Sequence, residues 1–270
     1  MQLFMKKPLT LSLVIPVYNE AVHIKVCLDA IAAQTQMPDE VIVVDNNSTD
    51  ATRKIAAAYP FVRVITEKKQ GVLYARNTGF DAARSEIIGR IDADTLLPPD
   101  WVEHVRQFYE VAEHKNHALT GGGYFYNVRS PRVNGWLLGQ MAYRLNRLIM
   151  GHYILWGSNM ALPKELWLAV RKDTCPRQDI HEDLDIAIHL HRLGYPITYR
   201  ETLRVGVKMR RVYTDRHALW QNLLWWPRTL RVHGHQAWFL GLLGSVVLYA
   251  GSPLVRAADY FPKRTHPHKK

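Results

Sequence analysis

Short apolar runs alternate with amphipathic stretches along the first hundred residues of the chain. Runs rich in β-branched residues favour strands, and the stretches between them repeat their apolar positions with the period of a helix. This alternation predicts a parallel sheet covered by helices. The predicted strands are residues 11–17, 41–45, 62–66 and 87–92, and the predicted helices are residues 22–34, 50–59 and 73–83.

Beyond residue 94 the pattern is mixed. It predicts a helix over residues 101–114, a strand over residues 118–125 interrupted by three glycines, an amphipathic segment over residues 133–150 and a helix over residues 184–193.

Residues 236–255 contain no acidic residue, lysine or arginine. This length approaches the ~20 apolar residues that cross a bilayer, but glycines and Pro253 interrupt it. A membrane-spanning helix, an interfacial or re-entrant helix and a buried core helix all remain open for this stretch.

Composition and charge restrict the partners. The chain has 270 residues, of which 47% are hydrophobic, so it can bury a large core. Its net charge of +11 favours an anionic partner: a nucleic acid, a nucleoside diphosphate or an acidic membrane surface. Basic residues and tryptophans are mixed in the last third, which favours the membrane surface, and no nucleic-acid-binding motif accompanies them. The two cysteines, Cys27 and Cys175, lack metal-ligand spacing.

Polar and aromatic residues follow the first two predicted strands. Pro16, Tyr18 and Glu20 come at the end of the first strand, and Asp45 ends the second. Open α/β sheets bind their ligands at this edge. A carboxylate such as Asp45 can accept hydrogen bonds from a base or a ribose there.

Asp92 and Asp94 stand two residues apart after the fourth predicted strand. This spacing suits a hydrated Mg²⁺ or Mn²⁺ that holds a diphosphate, and the alternative is a solvated acidic turn. Upstream, Gly71 precedes a helix that carries Arg76, whose guanidinium could pair with phosphate or base oxygens.

Glu182 and Asp183 stand directly before the predicted helix at residues 184–193. Acidic residues at a helix N-terminus are favourable for reasons of the helix dipole alone. The alternative is that one of the two carboxylates acts as a general base.

Taken in order, these motifs resemble those of the family 2 glycosyltransferases, which are inverting nucleotide-sugar transferases. The resemblance covers about residues 10–200. It implies the GT-A fold, an α/β fold with a Rossmann-like, mostly parallel sheet flanked by helices. The matching segments are Ile15–Glu20, Val44–Asp50, Ala75–Gly79, Asp92–Asp94, Gly157–Asn159 and Glu182–Asp183.

The resemblance also implies roles for single residues. Asp92 and Asp94 would hold the ribose and Mg²⁺ or Mn²⁺. Glu182 and Asp183 form the catalytic pair, with Asp183 as the base. The nucleotide would be cradled by Pro16, Tyr18, Glu20, Asp45 and Arg76.

The implied activity is transfer of one sugar from a nucleoside-diphosphate sugar, UDP- or GDP-linked, to a hydroxyl of a glycan or glycolipid in cell-envelope or surface polysaccharide synthesis. Processive relatives carry Gln-x-x-Arg-Trp, whereas the corresponding run here, Gln221–Trp225, lacks the arginine. Two alternatives remain: a polyprenyl-phosphate glycosyltransferase with a lipid phosphate acceptor, and a non-catalytic sugar-nucleotide-binding or membrane-scaffold protein.

We expect a GT-A domain over residues 1–210, with a nucleotide-binding half at about 10–97 and an acceptor half at about 98–210. Residues 211–270 would form a basic, tryptophan-rich helical extension that contains the candidate membrane segment. The expected location is the cytoplasmic face of a membrane, with peripheral or single-segment attachment and no nucleic-acid partner.

Overall fold

A computed structural model describes residues 9–127, 141–208, 210 and 215–260, with side chains omitted at 141, 142 and 254–260. Seven strands form one sheet in the order β3-β2-β1-β4-β6-β5-β7. Strands β1 to β4 are mutually parallel, β6 is antiparallel to both of its neighbours, and β5 pairs in parallel with β7. The strands are β1 Leu11–Val17, β2 Glu40–Asp45, β3 Val62–Thr66, β4 Ile87–Arg90, β5 Ala118–Phe125, β6 Met160–Pro163 and β7 Ile197–Val207.

Helices cover both faces of the sheet. Alternate residues of β1 point to opposite faces, so Leu13 packs with helices α1 and α4 while Val14 packs with α3, α6 and α7. The helices are α1 Ile24–Ala32, α2 Thr52–Ala57, α3 Val72–Ala82, α4 Trp101–Glu110, α5 Met141–Met150, α6 Lys164–Val170, α7 Glu182–Arg192, α8 Arg216–Val232 and α9 Trp238–Tyr260.

The predicted elements are present and differ from the prediction at their ends. Helices α1 and α2 are each two residues shorter at both ends, and α7 begins at Glu182, so Glu182 and Asp183 lie in its first turn. Strand β4 stops at Arg90, because Asp92 and Thr95 form a turn in which each backbone N–H is bonded within the pair. The predicted helix over 101–114 splits after Glu110, where Val111 is extended, and a short 3₁₀ turn follows. Helix α5 covers the end of the amphipathic segment 133–150, and residues 133–140 lie outside the described residues.

Two glycines permit close packing around β1 and β5. A Cβ atom on Gly79 of α3 would lie 2.3 Å from Val14 Cγ1, so this helix packs directly on the sheet. A Cβ atom on Gly121 would lie 1.9 Å from the Leu203 carbonyl oxygen of β7. The predicted strand over residues 118–125 is present, and the interruption predicted at the glycines is a local shift of register between Gly121 and Gly123 that does not end β5.

Helices α8 and α9 form a C-terminal hairpin. Small residues of α9 face α8: Gly241 packs against Trp226, and the Ser245 hydroxyl donates to the Leu223 carbonyl at 2.7 Å. Several large apolar side chains in the described part of α9 are exposed, including Leu243 and Val247 at 62% each. Of the three alternatives left open for residues 236–255, the buried core helix is therefore wrong for the part whose side chains the structure describes. Among the described residues, no helix has the length and apolar character that crossing a membrane requires.

Candidate active site

The strand order of the sheet reverses between β1 and β4. Open α/β sheets bind ligands in the crevice outside the carboxyl ends of the strands at such a point, and we call this edge the crevice. The loops after β1 and β2 are tied together along this edge. Asn19 has a left-handed backbone, with φ of 53°, and its side-chain oxygen accepts the Thr49 N–H at 2.8 Å. The Asn19 N–H in turn donates to the Ser48 hydroxyl at 3.0 Å.

Four of the five residues predicted to cradle the nucleotide lie at this edge. Pro16 is half-buried within β1, and Tyr18 just beyond it exposes half of its surface. Glu20 follows in the same loop. Asp45 is almost fully buried at the end of β2, where its carboxylate accepts the Ser48 N–H at 3.3 Å and lies 3.7 Å from Arg53 Nη1.

Arg76 is the exception. Its side chain has no exposed surface, lies beside the Phe80 and Trp167 rings, and pairs with Glu182 at 3.2 Å. The expectation that Arg76 contacts the nucleotide therefore disagrees with the complete burial of its side chain. The sequence pattern of α3 does not predict that the Arg76 side chain is buried and does not face the ligand edge.

Glu182 is buried between two arginines. Its Oε1 accepts from Arg90 Nη1 at 2.6 Å, and its Oε2 lies 3.2 Å from Arg76 Nη1. Burial raises the pKa of Glu182, while the two guanidinium groups oppose that shift. Oε2 makes no hydrogen bond, but both oxygens face buried guanidinium groups. This geometry favours a positioning role for Glu182 over the direct catalytic role expected from the sequence.

Asp183 has a different environment from Glu182. It is half-buried, its Oδ2 accepts the Gly157 N–H at 2.8 Å, and its Oδ1 accepts the Leu184 N–H at 2.8 Å. Gly157 cannot carry a side chain, because a Cβ atom there would lie 2.5 Å from Arg90 Cζ. The carboxylate is thus held by backbone groups and retains solvent access.

Asp92, which follows the fourth strand, contacts the loop that contains Gly157 and Ser158. Its Oδ1 lies 3.2 Å from Arg90 Nη2, and its Oδ2 accepts a hydrogen bond from the Ser158 hydroxyl. Arg90 therefore contacts both Asp92 and Glu182. The structure brings the predicted acidic motif, Gly157, Ser158 and Asp183 to one site.

Asp94 lies near other carboxylates, and Arg210 bridges it to Glu20. Arg210 donates to both Glu20 oxygens at 2.9 Å and lies 2.9 Å from Asp94 Oδ2 through its Nε. Burial, followed by the nearby charge of Asp92, raises the pKa of Asp94 to about 6, although Arg210 opposes this shift.

These residues fit the divalent cation that the family implies. Carboxylate oxygens are the hard ligands that Mg²⁺ and Mn²⁺ prefer, and Asp94 stands two residues from Asp92 with Glu20 joined to it through Arg210. Asp92 and Asp94 would hold the ion. Arg210 competes for Asp94, so its guanidinium would share or yield that carboxylate.

Three residues of the site were not singled out from the sequence: Arg90, Ser158 and Arg210. Arg90 had a usable signal, since a charged residue inside the apolar run 87–91 is almost never buried without a partner. Ser158 lies within the matching segment Gly157–Asn159, but the resemblance assigns it no role. Arg210 lies 190 residues from its partner Glu20, and local pattern carries no information about such a pair.

The sequence model of glycosyl transferase family 2 matches residues 12–166, more than half of the chain. The chain belongs to glycosyltransferase family 2. It is 38% identical over 98 residues to the putative glycosyltransferase EpsH of Bacillus subtilis, a match covering 35% of this chain and 28% of EpsH. It is 40% identical over 99 residues to the glycosyltransferase AglE of Haloferax volcanii, covering 34% and 33% of the two chains. These matches span a third or less of the relatives' own lengths.

Solved structures confirm the GT-A fold for this family 2 glycosyltransferase. The mannosyltransferase PcManGT of Pyrobaculum calidifontis, in complex with GDP-Man and Mn²⁺, superposes with a TM-score of 0.64 at 20% identity, covering 93% of this chain and 74% of PcManGT. S. aureus TarS, in complex with UDP-GlcNAc, superposes with a TM-score of 0.60 at 18% identity, covering 82% and 66%. The predicted enzyme class and mostly parallel, helix-flanked sheet are confirmed.

Proposed function

We propose that this glycosyltransferase moves one sugar from a nucleoside-diphosphate sugar to an acceptor hydroxyl, with inversion at the anomeric carbon and with Mg²⁺ or Mn²⁺ as cofactor. The observation that carries the proposal is the convergence of Asp183 and Asp92 on one loop, through Gly157 and Ser158. A fixed base thereby stands beside the acidic motif suited to a diphosphate. The acceptor would be a glycan or glycolipid of the cell envelope.

The donor half of the proposal rests on the edge formed by β1 and β2. Asp45 offers a carboxylate for base or ribose, and the half-exposed ring of Tyr18 offers a surface on which a base can stack. PcManGT binds GDP-Man and TarS binds UDP-GlcNAc, which supports a UDP- or GDP-linked donor here.

In the proposed reaction the acceptor hydroxyl attacks the anomeric carbon from the face opposite the diphosphate, while Asp183 takes the hydroxyl proton. Each Asp183 oxygen accepts one backbone N–H, which fixes the carboxylate and leaves lone pairs for that proton. A positioned general base typically accelerates a reaction ~10² to 10⁴-fold. A cation held by Asp92 and Asp94 would stabilise the departing diphosphate as a Lewis acid.

Arg90 and Glu182 support this reaction indirectly. Arg90 contacts Asp92 and Glu182, and its guanidinium lies against Gly157, whose N–H holds Asp183. One buried ion pair therefore sets the relative positions of the base and the first aspartate of the acidic motif. We propose that both act as positioning residues.

Attachment to the anionic, cytoplasmic face of a membrane is proposed for the α8–α9 hairpin. The exposed apolar face of α9 is flanked by cations: Arg216 lies over the Tyr249 ring at 4.8 Å and Arg231 over the Trp238 ring at 5.4 Å. Apolar side chains next to arginines and tryptophans suit the interface between headgroups and acyl chains. The exposed apolar residues of this face include Phe239, Leu240, Leu243, Val246, Val247 and Leu248.

A lipid phosphate acceptor is the second candidate, favoured by that same apolar face. A phosphate arrives ionised and needs no base, whereas the two backbone bonds that fix Asp183 favour an acceptor hydroxyl.

The proposal is tested with purified full-length protein and a panel of nucleotide sugars. A bound donor at 100 times its dissociation constant should stabilise the fold by about 2.7 kcal/mol. The stabilising donor is then incubated with hydroxyl and polyprenyl-phosphate acceptors, and the anomeric configuration of the product is determined by NMR. Retention would refute the displacement mechanism. Tight donor binding without transfer to either acceptor would favour a non-catalytic protein.

A further inference from the structure

Four potential metal ligands meet on the side of α7 that faces the C-terminal hairpin. Asp185 and His189 lie one turn apart on α7, Cys175 lies in the loop before that helix, and His233 caps the end of α8. One ligand atom from each residue lies within 4.8 Å of all the others. We call these four residues the Cys-Asp-His-His cluster.

The distances within the cluster are near those of a tetrahedral site. His233 Nε2 lies 2.8 Å from Asp185 Oδ1, His189 Nε2 lies 3.5 Å from the same oxygen, and Cys175 Sγ lies 3.8 Å from His233 Nε2. Zinc bonds of ~2.0 to 2.3 Å at tetrahedral angles place ligand atoms ~3.3 to 3.8 Å apart. Small rotations of side chains would bring all four ligands to an ion.

One atom of the cluster lacks a hydrogen-bond partner. His189 Nε2 is buried and makes no hydrogen bond, although it lies 3.5 Å from Asp185 Oδ1. An unsatisfied buried polar atom costs about 1–3 kcal/mol. A metal ion between His189, Asp185 and His233 would accept the lone pair of this nitrogen.

Ligand chemistry distinguishes this cluster from the acidic motif in the crevice. A set of one thiolate, two imidazoles and one carboxylate suits Zn²⁺, whereas Mg²⁺ and Mn²⁺ prefer all-oxygen sites. The Asp185 side chain has no exposed surface and that of His233 is 4% exposed. Such a closed site, with four protein ligands, is typical of structural zinc and leaves no open position for a substrate.

Arg192 opposes metal binding in one respect. Its Nη1 lies 3.2 Å from His233 Nδ1, and its Nη2 donates to the His233 carbonyl at 2.7 Å. This contact makes Nδ1 an acceptor, so Nε2 carries the proton that is donated to Asp185. Metal binding through Nε2 requires the other tautomer. Arg192 is exposed, so its Nη1 can turn to solvent while Nη2 keeps the carbonyl.

We propose that Cys175, Asp185, His189 and His233 bind one structural Zn²⁺ ion, which fastens α7 to the α8–α9 hairpin. Helix α7 begins with Glu182 and Asp183, so the ion would hold the element that presents the proposed base. This inference does not depend on the identity of donor or acceptor.

The test uses full-length protein stripped with a chelator and then titrated with Zn²⁺ or Co²⁺ alone. One Zn²⁺ per chain should remain after gel filtration, and it should raise the melting temperature. The Co²⁺ form should show the intense near-ultraviolet absorption of a cobalt–thiolate bond. An oxygen-only site, such as Asp92 and Asp94, cannot produce this absorption.

Variants then assign the ligands. Cys175→Ser should abolish the thiolate absorption, and His233→Gln should weaken Zn²⁺ binding by ~100-fold or more, beyond the range expected for an outer-shell change. Three changes should leave the ion bound: His191→Gln on the same helix but outside the cluster, Cys27→Ser at the other cysteine, and Asp94→Ala in the crevice. Three outcomes would overturn the proposal: the wild type retains no zinc, its Co²⁺ form shows no thiolate band, or Cys175→Ser takes up as much zinc as the wild type. The wild-type cobalt spectrum decides it even where a variant fails to fold.

Discussion

Arg90 at the end of β4 donates to Glu182 at the start of α7 over 2.6 Å, and both side chains are almost fully buried. The same guanidinium contacts Asp92 at 3.2 Å. This ion pair joins the strand that leads to the acidic motif to the helix that begins with Asp183. The position of one carboxylate relative to the other therefore depends on a pair that need not touch substrate.

Removing the charge of Glu182 should destabilise the fold. In Glu182→Gln the buried guanidinium of Arg76 loses its ion-pair partner, and that of Arg90 keeps its contact with Asp92 but loses the one with Glu182. Breaking a buried ion pair in this way costs about 3–5 kcal/mol. Urea unfolding measures the loss. Glu165→Gln, at an exposed glutamate on α6, is the matched control and should change the free energy of unfolding by less than about 0.5 kcal/mol. Equal effects of the two changes would contradict the positioning role.

Chelation should abolish transfer, and Mn²⁺ or Mg²⁺ should restore it, because Asp92 and Asp94 supply the oxygen ligands of the cation. Asp94→Ala should also weaken binding of the nucleoside diphosphate in the presence of metal, as measured by calorimetry. Asp173→Ala changes an exposed aspartate outside the site and should leave binding unaltered. Full activity in chelator would show that the crevice works without a metal, with Arg210 as the remaining cation beside Asp94.

Asp45→Ala should raise the donor Michaelis constant with little change in turnover at saturation, because the residue ends β2 at the ligand edge and contributes little apolar packing. Steady-state kinetics with varied donor measure this. The free energy of unfolding serves as the control. An unchanged donor constant combined with lost stability would assign Asp45 to the structure, through its bond with Ser48 and its contact with Arg53.

The fold could be predicted from sequence because its signals are local. The apolar runs of β1, β2 and β4 are buried, whereas those of the edge strand β3 are only partly buried. Because the carboxyl ends of parallel strands meet at one edge, the sequence places Glu20, Asp45 and Asp94 at one site. The same locality explains the errors. Glycines at 121–123 indicated a break, yet the close approach of β7 requires glycine at Gly121 within a continuous strand.

Long-range pairs could not be predicted. Arg90 and Glu182 are 92 residues apart, and Arg76 reaches Glu182 across 106 residues, so no spacing rule connects them. For the same reason Cys175 was judged to lack metal-ligand spacing, although folding places it beside His233, 58 residues away. Periodicity identifies the apolar positions of α9 but does not show that its small residues, such as Gly241, contact α8. Its large apolar residues consequently remain exposed.

Liposome binding should depend on the exposed face of α9. Leu243→Glu places a charge where an apolar side chain would enter the interface, so full-length protein should lose sedimentation with anionic vesicles. Leu168→Glu alters a similarly exposed leucine on α6 and should leave binding intact. If the wild type fails to bind vesicles containing phosphatidylserine at low salt, the hairpin does not attach to membranes by this face.

Asp183→Asn distinguishes the two proposed acceptors. An asparagine keeps the size of the side chain and can keep one of the two backbone bonds from Gly157 and Leu184, but it cannot take a proton. With a hydroxyl acceptor, turnover should fall by ~10² or more while donor affinity stays near normal. With a lipid phosphate the nucleophile is already ionised, so the loss should be much smaller. Turnover of the wild type and the variant is measured with both acceptors, and donor affinity by calorimetry. A small loss with the hydroxyl acceptor would show that Asp183 is not the base. Glu182 could not have replaced it as proton acceptor in the variant, because the Glu182 oxygens face Arg90 and Arg76.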